Sequence, residues 1–377
     1  RRVVRPFACD ESAHDPSKPT VVVVDTGFDV SHPALRPKVA GCYHIECAPE
    51  PEAPGGAPPG SLDEWAAREV AELGRRDESC QLVPGLELVV EDYLLGFDED
   101  ARAEWNAALF EKRPLNGSFD VDTMFGLLSA GTDGTFSYHG TQTAGLIAYE
   151  NDVNLVLVQR ELLSPGRAAE QIECITQQEL DDEVALYARP DVEAAFLAAP
   201  LPAADEAMID LRRRFGARVE NRSFGALARS ELEYQLAIQG CADVDLGPWF
   251  ARMASLDERR ELARRASGAY AGDEALVVQS SGNEGALVDG AADSLECVRD
   301  GAKVLVGSYG LYRGRGFVDA FSNYGACVDL YAMGSSVIAP SPNGFFTVVT
   351  GTSFSAPLAA RAASALAPSA PTAAALR

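Results

Sequence analysis

Four short runs of apolar, mostly β-branched residues occur along the chain without alternating with polar residues. They are 20–25 (TVVVVD), 154–159 (NLVLVQ), 275–279 (ALVVQ) and 303–307 (KVLVG). Such runs are typical of strands buried on both faces of a parallel sheet. Helical stretches lie between them, such as 205–215, which Gly216 closes as a C-cap. Strands that alternate with helices predict an α/β fold with a mostly parallel central sheet.

Two stretches interrupt this alternation and predict insertions. The segment 48–60 (APEPEAPGGAPPG) is rich in Pro and Gly, which indicates an exposed linker. The capping-box spacing of 61–64 follows it and predicts a helix through about residue 76. We therefore expect one insertion over about 46–130 and a second over about 162–215.

The charge balance excludes several classes of function. Asp and Glu number 56 against 32 Lys and Arg, so the net charge is −24. Such a chain has few excess cations that could displace counterions from a phosphate backbone. This argues against nucleic-acid binding and disfavours binding to anionic membranes. No apolar run approaches the roughly 18 residues of a membrane span. No signal peptide begins this numbering, and the compartment stays open between secreted and cytoplasmic.

The eight cysteines leave two interpretations open. They stand at 9, 42, 47, 80, 174, 241, 297 and 327, an even number but widely scattered. Buried thiols in a reducing compartment and bridges in an oxidising one fit equally well. The pair Cys42 and Cys47 also suggests a zinc site, but the second half of a ligand set is missing. We therefore expect no metal there.

Side chains with candidate chemical roles follow the predicted strands or begin the predicted helices. Asp25 and Asn283 lie at strand ends, where open parallel sheets gather their active residues. His139 precedes an apolar helical stretch, and Ser353 precedes an Ala-rich one. Ser353 is thus expected at a helix N-terminus, which favours developing negative charge. Pro357 follows in the first turn or just after it, where a missing N–H costs least.

An acid, a histidine and a serine on three elements can make a nucleophilic triad. Serine needs a base within hydrogen-bond reach, and the base needs a carboxylate to hold its tautomer. Taken singly, Asp25 is equally a turn residue, His139 a helix-capping or core residue, and Ser353 and Asn283 polar residues at element ends. The chain order Asp, His, Ser is one of the known convergent orders of such triads.

Five ordered segments resemble the sequence blocks of the subtilisin-like serine proteases, or subtilases. They are DTG at 25–27 with SHP at 31–33, HGT at 139–141, NRSFG at 221–225, SGNEG at 281–285 and GTSFSAP at 351–357. One block alone is a weak signal, but the ordered set is specific. The resemblance implies a three-layer subtilisin-like α/β fold. The chain 1–377 is then a single peptidase domain with the two insertions.

The resemblance also implies roles for individual residues. The activity would be that of a serine endopeptidase, with Asp25 as orienting acid, His139 as general base and then acid, and Ser353 as nucleophile. Asn283 and the Ser353 backbone N–H would hold the oxyanion. The edge that pairs with an extended peptide would be Ser223, Phe224 and Gly225.

Some positions depart from the family pattern. Gln142 and Thr143 stand where the family more often has histidine and valine, and Phe354 stands where methionine is usual. These changes remove no catalytic group, and we expect them to alter packing. His32 is close to Asp25 in sequence, but it lies in the SHP turn of the resembling block, so we interpret it as structural.

The resemblance implies a protein or peptide substrate bound in extended form, and a propeptide or inhibitor as a further partner. The chemistry requires no cofactor. Structural calcium is common in the family, but nothing in the sequence places it, because the acidic runs at 98–100 and 181–183 lack the spacing of a calcium loop.

Two alternatives keep the fold and change the outcome. One is a transpeptidase or macrocyclase that passes the acyl group to an amine, which product mass would reveal. The other is a pseudoprotease that binds peptides along 223–225 without catalysis. The intact set of triad residues speaks against the second.

Overall fold

The computed structural model describes residues 2–48, 61–91, 99–112, 138–160, 174–225, 228–241, 243–290, 292–297 and 302–366. The strands in these ranges are β1 (Arg2–Phe7), β2 (Thr20–Asp25), β3 (Val39–Cys47), β4 (Cys80–Pro84), β5 (Leu86–Glu91), β6 (Asn154–Arg160), β7 (Val219–Arg222), β8 (Leu276–Ser280), β9 (Lys303–Tyr312), β10 (Arg315–Val318), β11 (Leu330–Met333), β12 (Val337–Ser341) and β13 (Phe345–Val349). The α-helices are α1 (Leu62–Leu73), α2 (Glu99–Glu111), α3 (His139–Ala148), α4 (Gln177–Tyr187), α5 (Pro190–Ala198), α6 (Ala203–Phe215), α7 (Arg229–Ile238), α8 (Gly247–Ala266) and α9 (Thr352–Leu366).

The central sheet has the strand order β10-β9-β8-β7-β2-β6-β3-β4, and β11 also pairs with β9. Every neighbouring pair from β3 to β9 is parallel, whereas β4 and β10 join antiparallel at the two ends. The four apolar runs became β2, β6, β8 and the first half of β9. The prediction of a mostly parallel α/β sheet is confirmed.

Layers of helices cover both faces of this sheet. Val21 and Val23 of β2 are fully buried against residues of α3 and α9. Val22 and Val24 point the other way, against α6. Because side chains alternate along a strand, a strand buried on both faces needs apolar residues at consecutive positions, as the four valines of β2 are. The predicted three-layer arrangement follows from this pattern and is confirmed.

Both predicted insertions contain helices whose starts match their sequence signals. The Ser61 side chain accepts from the Glu64 backbone N–H at 3.2 Å and so begins α1. Thr176 forms the corresponding capping box of α4 with Glu179. Of the predicted linker, residues 49–60 lie outside the described ranges. The boundaries of the insertions therefore stay a prediction.

All eight cysteines lie in described segments, and all are paired. The bridges are Cys9–Cys42, Cys47–Cys80, Cys174–Cys241 and Cys297–Cys327. The zinc alternative fails because Cys42 and Cys47 each bond to a different cysteine. Within the part of the chain that the structure describes, no cluster of three His, Cys, Asp or Glu is placed to hold a metal ion. In the same segments no helix is long and apolar enough to cross a membrane.

Candidate active site

The residues singled out by sequence lie at the carboxyl edge of the sheet and at two helix starts. Asp25 is the last residue of β2, and His139 is the first residue of α3. Ser353 is the second residue of α9, and Asn283 lies in the loop that follows β8. The helix N-terminus expected for Ser353 is observed.

Asp25 and His139 form a direct pair. His139 Nδ1 lies 2.6 Å from Asp25 Oδ1, and their side chains are 15% and 2% exposed. The same carboxylate oxygen accepts the backbone N–H of Thr26 at 2.7 Å. A carboxylate that accepts a hydrogen bond from the Nδ1–H of a histidine fixes the orientation of the ring. The other nitrogen, Nε2, is then the one that can accept a proton. This is the arrangement that a general base requires.

The start of α3 is tied to the turn that follows β2. Gly140 N donates to Thr26 O at 2.6 Å, and Thr141 N donates to Gly27 O at 3.1 Å. A Cβ on Gly140 would lie 2.7 Å from the Phe28 ring and 2.8 Å from Thr26 O, so only glycine permits this approach. These bonds hold His139 next to Asp25, although the two residues are 114 positions apart in the sequence.

Thr143 is a site residue that the sequence analysis missed. Its hydroxyl donates to Asp25 Oδ2 at 2.8 Å, and the side chain is fully buried. Sequence reasoning predicted only altered packing at this position. A signal was present, because Thr143 lies four residues after His139, and side chains spaced by four share one face of a helix. A hydroxyl there can reach the acid that the histidine contacts.

Ser353 and Ser223 are joined by two reciprocal hydrogen bonds. The Ser353 hydroxyl donates to the Ser223 carbonyl at 3.0 Å, and the Ser223 hydroxyl donates to the Ser353 carbonyl at 2.8 Å. A serine hydroxyl has one proton, so in this structure Ser353 does not donate to His139.

Pro357 explains the second of these bonds. It lies inside α9, where its missing N–H would otherwise donate to the carbonyl four residues earlier, that of Ser353. The Ser223 hydroxyl takes the place of that amide. The sequence analysis treated the missing N–H as cheap, but at the sixth residue of the helix it leaves a carbonyl to be satisfied from outside.

Asn283 is locked by the residue that precedes Ser353. Its Oδ1 accepts from Thr352 N at 2.8 Å and from Thr352 Oγ1 at 2.9 Å. The backbone N–H can only donate, so the oxygen end of the amide faces the helix start. The Nδ2 of the exposed Asn283 is therefore the end left to donate, and no described residue accepts from it.

The segment Ser223–Gly225 continues beyond β7, which ends at Arg222. Ser223 is buried, Phe224 is half-buried and Gly225 is exposed. Phe224 O accepts from Gln279 Nε2 of β8 at 3.0 Å. A side chain of the neighbouring strand, rather than a backbone ladder, therefore holds Phe224. The predicted substrate edge thus continues directly from the end of β7.

His32 lies elsewhere and has both ring nitrogens engaged. Its Nε2 lies 3.1 Å from Phe345 O, and its Nδ1 accepts from Ala34 N at 3.1 Å. The pKa of His32 is lowered, mainly because burial disfavours the charged ring. These contacts agree with its interpretation as a structural residue.

The chain matches the peptidase S8 family, described as the subtilase family, over residues 17–374. Comparison with curated proteins found no similar sequence.

Three similar solved structures have low sequence identity. A cold adapted subtilisin-like serine proteinase is 17% identical, with 95% of this chain and 78% of that chain covered and a TM-score of 0.40. The patellamide maturation protease PatG is 13% identical, with 96% and 81% covered and a TM-score of 0.40. A lanthipeptide protease is 15% identical, with 97% and 79% covered and a TM-score of 0.39. Family membership rests on the sequence match over nearly the whole chain: this protein belongs to the subtilase family.

Proposed function

We propose that this protein is a serine endopeptidase that hydrolyses peptide bonds through an acyl-enzyme. The observation that carries the proposal is the 2.6 Å contact between His139 Nδ1 and the buried Asp25. The ring of His139 lies 5.4 Å from that of Phe354, the residue that directly follows Ser353 at the start of α9. A buried carboxylate that holds one ring nitrogen prepares the other as a base. The three elements meet at the carboxyl edge of the sheet, where α/β enzymes place their chemistry.

In the proposed mechanism, His139 Nε2 takes the Ser353 proton as the serine oxygen bonds to the substrate carbonyl carbon. The C–N bond then breaks, and His139 returns the proton to the leaving amine. Water repeats the sequence and releases the acid product. The nucleophile and base come from side chains, so the proposed chemistry needs no cofactor.

Ser353 must first release the Ser223 carbonyl, to which it donates at 3.0 Å. A substrate strand that pairs with Ser223–Gly225 brings its own N–H groups to this edge. In our proposal, a substrate N–H replaces the Ser353 hydroxyl at that carbonyl. Binding of an extended peptide would thus free the serine proton for His139.

Asn283 is proposed to stabilise the oxyanion together with the Ser353 backbone N–H. The Thr352 contacts fix the amide so that Nδ2 is the end left to donate. A donor held before the reaction begins costs no reorganisation when the negative charge develops. The helix N-terminus adds a favourable field at the same place.

Labelling with a fluorophosphonate tests the proposal. The probe should attach at Ser353, and Ser353→Ala should abolish labelling without loss of the fold. The matched control is Ser355→Ala, because Ser355 is fully buried two residues later in the same helix. This variant should label like the parent chain. Correctly folded protein that never labels, or labelling that survives Ser353→Ala, would refute the proposed function.

A further inference from the structure

Arg160 is a half-buried cation that pairs with no carboxylate among the described residues. It is the last residue of β6, and its guanidinium carbon lies 4.3 Å from the centroid of the Phe224 ring. No described carboxylate forms an ion pair with it; its charge is favoured only by the field of Asp25. The pKa of Arg160 is lowered, mainly by burial and then by the positive charge of Arg222. Within the part of the chain that the structure describes, this positive charge therefore has no matching carboxylate.

Two neighbouring arginines, Arg212 and Arg222, form ion pairs with carboxylates. Arg222 contacts Glu220 at 2.5 Å, and Arg212 contacts Glu220 and Asp273, each at 2.5 Å. Two cations and two carboxylates balance one another in this cluster. Glu220 and Asp273 are thus already paired, so no described carboxylate compensates the charge of Arg160. A half-buried charge without a partner is costly, and an anion that approached it would be bound favourably.

Arg160 stands beside the proposed substrate edge. Its alternation with Val156 and Val158 places it on the sheet face that α6 covers, and Phe224 packs against that same face. Phe224 directly follows Ser223, whose carbonyl contacts Ser353. A peptide that pairs with 223–225 would pass within reach of the guanidinium.

We propose that Arg160 forms a subsite for an acidic side chain of the peptide substrate, on the N-terminal side of the scissile bond. The inference rests on the proposed function, since it assigns a substrate class to that same edge. Arginine is suited to the role because its planar fork binds a carboxylate through two N–H groups while its face stays stacked on an aromatic ring.

The net charge of −24 does not prevent such binding. The range of charge effects in physiological salt is about 8 Å, so distant acidic residues are largely screened. The substrate side chain would respond mainly to the closest charge. That charge is the guanidinium of Arg160.

Cleavage of a proteome-derived peptide library, read by mass spectrometry, tests the proposal. The parent chain should cleave with Asp or Glu enriched at one position before the bond. Arg160→Gln should lose that enrichment, and Arg160→Glu should replace it with Lys or Arg. At that position, a synthetic peptide with Glu should exceed its Gln twin in kcat/KM by about tenfold for the parent only. The matched control is Arg361→Gln, because Arg361 also stacks on an aromatic ring, that of Tyr149 at 5.5 Å.

Each outcome decides between the proposals. Enrichment that disappears in Arg160→Gln and persists in Arg361→Gln supports the acidic subsite. Cleavage without acidic enrichment, or enrichment that survives Arg160→Gln, overturns the subsite and leaves the peptidase standing. A parent chain that neither labels with fluorophosphonate nor cleaves any library peptide overturns both. A thermal unfolding curve of Arg160→Gln that matches the parent shows that its fold is intact.

Discussion

Ser223→Ala should destabilise the protein because Pro357 makes its hydroxyl necessary. The Ser223 hydroxyl lies 2.8 Å from the Ser353 carbonyl, and Ser223 is only 3% exposed. Without it, the amide that would serve this carbonyl in a regular helix is missing, because residue 357 is proline. This carbonyl is half-buried, and leaving its hydrogen bond unmade costs about 1–2 kcal/mol of stability.

Pro357→Ala provides the test of this reasoning. Alanine restores an N–H four residues after Ser353, in position to donate to its carbonyl. Ser223→Ala should then cost about 1–2 kcal/mol less in the Pro357→Ala background than in the parent. The Ser223 hydroxyl also accepts from Asn221 Nδ2 at 3.0 Å, but this bond is lost in both backgrounds and cancels in the comparison.

The measurement is a double-mutant cycle of urea unfolding followed by circular dichroism. All four proteins carry Ser353→Ala, which prevents self-cleavage and leaves the Ser353 backbone carbonyl in place. A positive coupling between positions 223 and 357 is expected. Equal cost of Ser223→Ala in the two backgrounds would show that the hydroxyl does not substitute for the missing amide.

Three further predictions concern single residues. Asn283→Ala should lower kcat by about 100- to 1,000-fold with little change in KM, a magnitude that comes from the oxyanion asparagine of subtilisin itself, a relative of this chain. Thr143→Val should lower kcat/KM about tenfold by removing the hydroxyl on Asp25, whereas Thr143→Ser should keep it; the reverse order would indicate a packing role. Burial alone would raise the pKa of Glu220, but Arg222 and Arg212 outweigh it and lower the pKa from 4.5 to about 2. Glu220 therefore stabilises the fold above about pH 4.5, and this contribution is lost as pH falls toward 2, so acid titrations of stability should be flatter for Glu220→Gln.

The strands of the central sheet could be predicted because their signal is local. A strand buried on both faces needs apolar side chains at consecutive positions, and the valines in 20–25 show this for β2. Capping boxes are local too, and Ser61 begins α1 as its spacing predicts. Both signals depend on a few neighbouring residues. They therefore hold whatever the rest of the chain does.

The cysteine pairing could not be predicted, because it depends on contacts between distant parts of the chain. The bridged cysteines are separated by 30 to 67 residues. Their pairing depends on which strands become neighbours, as Cys47 and Cys80 do where β3 meets β4. Eight cysteines allow on the order of a hundred pairings, and only the fold selects one. The bridges themselves favour an oxidising compartment.

The residues of the candidate site fall into the same two groups, those with a local signal and those whose position depends on the fold. Family blocks pointed to Asp25, His139, Ser353 and Asn283, because each block is a short stretch with its own turn or helix start. Thr143 and Arg160 escaped that analysis, since their roles depend on contacts that the fold creates. Thr143 reaches Asp25 across 118 residues, and Arg160 meets an aromatic ring from another segment.

The contact between Ser223 and Ser353 shows that the blocks of the sequence are not independent signals. A proline inside α9 removes a backbone donor, and a serine 130 residues before Ser353 provides the replacement from another block. Each residue alone resembles an ordinary turn or helix preference. Together they satisfy one carbonyl, and they tie the proposed nucleophile to the proposed substrate edge. A chain that kept the proline and lost the serine would leave this half-buried carbonyl without that donor, so the joint presence of the two residues carries more information than either motif.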